Sequence, residues 1–268
     1  MHVKWRKLKQ TGGTSEGVSI FKKIGIAAGW LVAWQAVSML VHNNILFVGP
    51  LETLQALAAL LPTGEFWTSL GASCLRIIGG FLLGSAAGIL LAFAAYMKKF
   101  LADILAPFVT ALKAVPVASF VILLLIWSGS ENLSLLISFL VVFPILYLNT
   151  LEGLRSTDVK LLEMASVYRV PLLSRIRYIF LPGLKAFWLS SFQLALGMSW
   201  KSGVAAEVIG QPLTSIGNRM YQSKIFLDTA GVLAWTVVIV LISWLFEKAF
   251  LLFLKKIVLR TGSKEAQA

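Results

Sequence analysis

Charge is scarce in this chain: Asp, Glu, Lys and Arg together supply 13% of its 268 residues, against about 25% in soluble domains. With 58% of residues apolar, a disordered chain is excluded and an ordinary water-soluble globule is disfavoured. Cysteine is nearly absent. Cys74 stands alone, so no internal disulfide can form, and it reads as a small apolar packer. Histidine is limited to His2 and His42, too few for a His-rich metal site. His42 falls at a span boundary and reads as solvated. No Ser/His/Asp set, paired carboxylates or metal-ligand cluster can be assembled, so no catalytic, cofactor or metal site is expected. A Gly-x4-Gly-Lys-Ser/Thr phosphate loop is missing too, so ATP hydrolysis is not expected of this chain.

What is there comes in blocks. Six apolar segments lie at about 24–42, 70–95, 104–127, 133–151, 185–208 and 229–252. Each approaches the roughly 20 helical residues that a hydrocarbon core of about 30 Å demands. Lipid offers no partners to backbone N–H and C=O groups, so helices are favoured. The expected fold is therefore an all-α polytopic membrane protein with six transmembrane helices. Bases outnumber acids 24 to 12, and their positions explain the excess. Segments 1–23, 96–103, 152–185 and the tail from 248 hold 19 of the Lys and Arg residues, whereas 43–69, 128–132 and 209–228 hold 2. Such asymmetry puts the first set, with both termini, in the cytoplasm. It accounts for the basic charge through a lipid bilayer and without nucleic acid.

The organisation expected is a cytoplasmic segment 1–23, one membrane domain 24–254 and a cytoplasmic tail 255–268. TGGTSEG (11–17) reads as flexible and TGSKEAQA (261–268) as disordered. Between the first two spans, Glu52 opens and Pro62 closes a short interfacial helix. The longest inner loop, 152–185, is too polar for lipid. Asp158 is a good N-cap, which predicts a helix over about 159–168. Pro171 interrupts it, and a second short helix is predicted from 172 to Leu181-Pro182.

Within the spans, Gly80, Gly84 and Gly88 recur every four residues and let another backbone approach closely. Gln193, Gly197 and Lys201 share one face of the fifth span. A lysine inside a bilayer costs about 2.5–3.5 kcal/mol on insertion scales. Lys201 therefore serves either a translocation path or a structural partner on a neighbouring helix. Glu207 carries the same two readings, and lies too far round the helix to pair with Lys201. Arg76 is placed to snorkel to an interface. Lys113, close to Val115-Pro116, suggests with Pro107 and Pro144 an irregular third span facing the bundle interior. The path candidates are thus Lys113, Gln193, Gly197, Lys201 and Glu207.

The loop also carries a resemblance. Glu163-Met164-Ala165, followed by Leu181-Pro182, resembles the EAA loop of bacterial ABC-importer permeases. Residues 112–134, and 197–210 with 215–223, are similar to the third span, fifth span and outer loop of the nitrate/sulfonate/taurine permease group. The likeness covers roughly 45–255. It departs at Met164, where the family has alanine, and at Arg169, where a glycine would allow a left-handed turn that arginine disfavours.

The resemblance implies a type I importer permease fold in the bacterial inner membrane. It also implies two ATPase subunits, a second permease copy as a homodimer, and an extracytoplasmic solute-binding protein. Leu161, Leu162, Glu163, Met164, Ala165, Tyr168, Arg169, Leu181 and Pro182 would couple to the ATPase. Among these, Leu161, Leu162, Ala165 and Tyr168 fit one apolar face for a groove. The solutes implied are small anions or aromatic and pyrimidine-like compounds. An ATP-independent secondary transporter or channel is the alternative, disfavoured by the shortage of buried acids.

Overall fold

The computed structural model describes residues 15–41, 43 and 45–263. Eleven α-helices follow in order: α1 (Ser15–Val41), α2 (Pro50–Leu60), α3 (Gly64–Met97), α4 (Lys99–Ala114), α5 (Val117–Ser128), α6 (Leu133–Arg155), α7 (Val159–Val167), α8 (Leu172–Arg175), α9 (Leu181–Gly210), α10 (Ile216–Ile225) and α11 (Thr229–Ser263). Among the described residues five helical runs are long and apolar enough to cross a membrane, and the bent pair α4–α5 brings the number to six when counted as one span.

The core is the sandwich α3–α6–α9. Gly80, Gly84 and Gly88 of α3 lie on the α6 backbone: a Cβ at Gly84 would sit 2.8 Å from the Phe139 carbonyl oxygen, and one at Gly88 2.8 Å from that of Phe143. Close backbone approach is what small residues give membrane helices in place of a hydrophobic driving force. The register shows α3 and α6 running in the same direction. α9 runs against them, since Ser138 Oγ donates to the Ser199 carbonyl (3.3 Å) and Trp188 Nε1 to Thr150 Oγ1 (3.0 Å). α11 lies outside this core. Its Phe250 meets the buried Phe81 edge-on at 5.1 Å, and Trp235 stacks on Phe66 at 5.1 Å. α1 touches the rest mainly through α2 and the segment just before it, where Trp34 Nε1 donates to the Val48 carbonyl at 3.0 Å.

Several boundaries differ from expectation. The first helix begins at Ser15 and the last runs through Ser263, so parts of both supposedly irregular stretches, 15–17 and 261–263, are helical. Residues 11–14 and 264–268, like His2 and His42, lie outside the described residues. The interfacial helix starts two residues early because Pro50 occupies its first turn, where a missing N–H costs nothing.

The third span breaks by 105° between α4 and α5. Pro116 forces Val115 into extended backbone (ψ 130°). Pro107 and Pro144 leave their helices unbroken. This span lies against the outside of the core rather than at its interior, with only Ala102, Val109 and Val121 buried.

Candidate functional site

The loop between α6 and α9 is a rigid corner built from its own polar groups. Asp158 caps α7, its Oδ1 accepting from the Lys160 N–H at 2.9 Å. α7 ends in a Schellman motif: Val170 N–H donates to the Ala165 carbonyl (2.9 Å) and Arg169 N–H to that of Ser166 (3.1 Å). The geometry requires a left-handed residue, and Arg169 supplies it at φ 51°. The turn that a glycine would favour is thus made by arginine, at the cost of a Cβ–carbonyl contact.

Arg175 completes the corner. Its Nε donates to the Val170 carbonyl (2.8 Å) and its Nη2 to that of Ala165 (3.0 Å), tying α8 to the end of α7. Sequence reading missed Arg175. Its only signal was a base four residues after Pro171, in the first turn of the second predicted helix.

The second short helix does not stop at Leu181-Pro182. α8 passes through a π-helical turn, Ile176–Phe180, directly into α9. Leu181 N–H reaches the Ile176 carbonyl five residues back. A wider turn accommodates the ring and missing N–H of Pro182. The run Leu172–Gly210 is therefore one helical rod of 39 residues, about 58 Å long at 1.5 Å per residue. That is roughly twice the hydrocarbon thickness, so one end stands outside it.

The loop's side chains divide into two sets. Ala165 is fully buried and Leu162 packs on Leu154, Phe180 and Leu184. These two seat α7 on the bundle and are not available on an outer face, in contrast to the single apolar face expected. Outward, Leu161, Met164, Leu172 and Leu173 are exposed, with Tyr168 76% exposed. Glu163 and Arg169 stand beside them, also exposed. Leu181 and Pro182 lie in the rod rather than at a joint.

Among the path candidates, Gln193 and Lys201 are exposed on one face of α9, with Gly197 half-buried between them. Lys201 forms no ion pair or hydrogen bond among the described residues. Lys113 is exposed on α4.

Glu207 is different. It is 0% exposed and lines no opening. Its carboxylate accepts from Ser73 Oγ (2.6 Å), Ser134 Oγ (3.1 Å) and the Gly217 N–H (3.3 Å), with Arg76 Nη1 at 3.9 Å. Arg76 does not snorkel. It donates to Glu131 (2.5 Å) and to the Thr214 carbonyl (2.8 Å). Ser73 also accepts from the Ile216 N–H at 2.9 Å. The knot joins α3, α6, α9 and the start of α10, and satisfies a charge that burial would otherwise make costly.

The comparisons agree with this architecture. Residues 84–259 match the family described as binding-protein-dependent transport system inner membrane component. A Bacillus subtilis (strain 168) protein named as an aliphatic sulfonates transport permease is 28% identical over 88% of this chain and 86% of its own. The taurine transport system permease protein of Escherichia coli (strain K12) is 28% identical over 90% of both chains. The bicarbonate transport system permease protein of Synechococcus elongatus is 27% identical over 59% of this chain and 56% of its own. A match over most of the chain, on a multi-pass helical bundle of this kind, makes the protein a member of the ABC permease family of binding-protein-dependent transport system inner membrane components.

Proposed function

We propose that this permease is half of an ATP-driven importer and couples to ATPase subunits through the α7–α8 corner. The observation that carries this is mechanical. The corner is capped, stapled by Arg175 and continuous with α9, so a push on its exposed apolar side chains moves a core helix as a rigid body. The exposed Leu161, Met164, Tyr168, Leu172 and Leu173 suit a hydrophobic cleft on a partner, with Glu163 and Arg169 at its rim. In this reading the corner and both termini are cytoplasmic, in keeping with the excess of Lys and Arg on those segments. A solute-binding protein delivers solute at the opposite face.

A second copy of the chain completes the path. Lys201 on an exposed face of a membrane helix is costly against lipid. The face bearing Gln193, Gly197 and Lys201 therefore turns to the partner permease or to water between the two. The aliphatic sulfonate, taurine and bicarbonate named for the relatives, with this cation, support a small anion as solute.

The test is uptake into proteoliposomes holding the permease, its ATPase and its binding protein. Glu163→Ala is expected to weaken ATPase docking or uncouple hydrolysis from uptake in a folded permease. Wild-type coupling in that variant rejects its role, and uptake without any ATPase rejects the ATP-driven reading. Lys201→Ala is expected to lower uptake more than assembly; equal loss of both assigns Lys201 to structure.

A further inference from the structure

We propose that the cleft between α4 and α6 is an oxyanion-binding site, formed by Lys113, Arg155 and the hydroxyl of Tyr147. The cleft has a volume of about 390 Å³, within the roughly 300–1,000 Å³ of small-molecule sites. Its α4 wall is lowered by Ala102 and Ala106, whose short side chains leave the space open. Side chains on a helix lean toward its N-terminus. Lys113 thus leans back along α4 toward Thr110, and Arg155 back along α6 toward Tyr147, so the two cations approach the same cleft from two helices.

Three features point to a ligand rather than to a packing gap. No Asp or Glu lines the cleft. Lys113 and Arg155 form no ion pair or hydrogen bond among the described residues. Tyr147 lines the cleft with its ring buried, and its hydroxyl has no hydrogen-bond partner among the described residues. An unpaired hydroxyl donor beside two unpaired cations is complementary to an acceptor-only group carrying negative charge. Phosphate, sulfonate or carboxylate oxygens meet that description. Two sources carry the same chemistry: a small anionic solute, or the headgroup phosphate of an anionic lipid lodged between helices. The site depends on the cleft alone and not on ATPase coupling.

The test uses the full chain in two kinds of nanodisc, phosphatidylcholine alone and phosphatidylcholine with phosphatidylglycerol. Lys113 is acetylated and Arg155 treated with phenylglyoxal, with Lys160 and Arg177 as references, and modification rates are read by mass spectrometry. Sodium sulfate is the solute probe, against sodium chloride at equal ionic strength. The expected result is a roughly tenfold slowing at both Lys113 and Arg155, matching the loss of one charge-assisted bond, with the references unchanged. Slowing by sulfate in neutral nanodiscs assigns the site to a solute, and slowing only with phosphatidylglycerol assigns it to a lipid headgroup. Unchanged rates in every condition overturn the proposal. Lys113→Gln is expected to abolish protection of Arg155, and Tyr147→Phe, which keeps the ring packing, to reduce it several-fold. Full protection of Arg155 in Lys113→Gln overturns the proposal as well.

Discussion

At one end of α9, Glu207 is tied to Ser73, Ser134 and the Gly217 N–H with no exposure to solvent. At the other, α9 runs without a break into a corner whose polar groups bond only to its own backbone and whose apolar side chains point out. Each end is rigid, but the bonding differs. The Glu207 knot spends its polar groups on neighbouring helices, and so fixes α9 to α3, α6 and α10. The α7–α8 corner spends them locally, and so leaves a stiff surface for something else. Saturation across helices marks a fixed point; local saturation with exposed hydrophobics marks a handle. In the proposed function, one rod with a fixed point at one end and a handle at the other acts as a lever.

The comparison breaks most visibly at the knot. Glu207→Ala leaves two buried serines and the Gly217 N–H short of an acceptor, and is expected to cost about 3 kcal/mol or more. Thermal unfolding of the purified chain should show it as a large fall in Tm, while Glu163→Ala at the corner leaves Tm unchanged. Equal falls would erase the distinction between the two ends.

The handle is tested next. Tyr168→Ala combined with Leu172→Ala removes exposed side chains only, and should reduce ATPase co-purification at least roughly tenfold at constant Tm. Arg175→Ala falls between the two. It strips a donor from the Ala165 and Val170 carbonyls, about 1–3 kcal/mol of local stability. The expected readout is faster proteolytic nicking of 156–175 and looser coupling of hydrolysis to uptake, with the knot intact. The smallest effect is at the turn. Arg169→Gly relieves the left-handed strain and should raise stability by up to about 1 kcal/mol, provided that the arginine side chain carries no ATPase contact. A loss of coupling there would give the exposed guanidinium a docking role.

Much of this was legible without coordinates. Asp158 announced the start of α7 by its side-chain chemistry, and the glycine series of α3 a close helix contact by its period. Pro107, Pro116 and Pro144 read alike as kink sites, and only Pro116 breaks its helix, through the extended Val115 before it. The partners of Glu207 were not legible. Ser73 lies 134 residues away in the chain and Ser134 lies 73 away, and nothing local distinguishes them from any other serine. Pro182 misled because its effect depends on whether the preceding turn can widen, which a residue-by-residue reading does not reveal. Lys201 and Glu207 looked alike as ionisable groups in one span, yet their surroundings separate them completely.

The sequence by itself determined that the chain is a bundle of membrane helices, because lipid leaves the backbone no alternative and apolar length is a local property. It also determined where the loop helix begins, because a cap acts within a few residues. Only the tertiary structure decided which polar groups are locked and which are free to meet a partner. That choice depends on which distant helices pack together, and packing is a property of surfaces rather than of neighbouring residues.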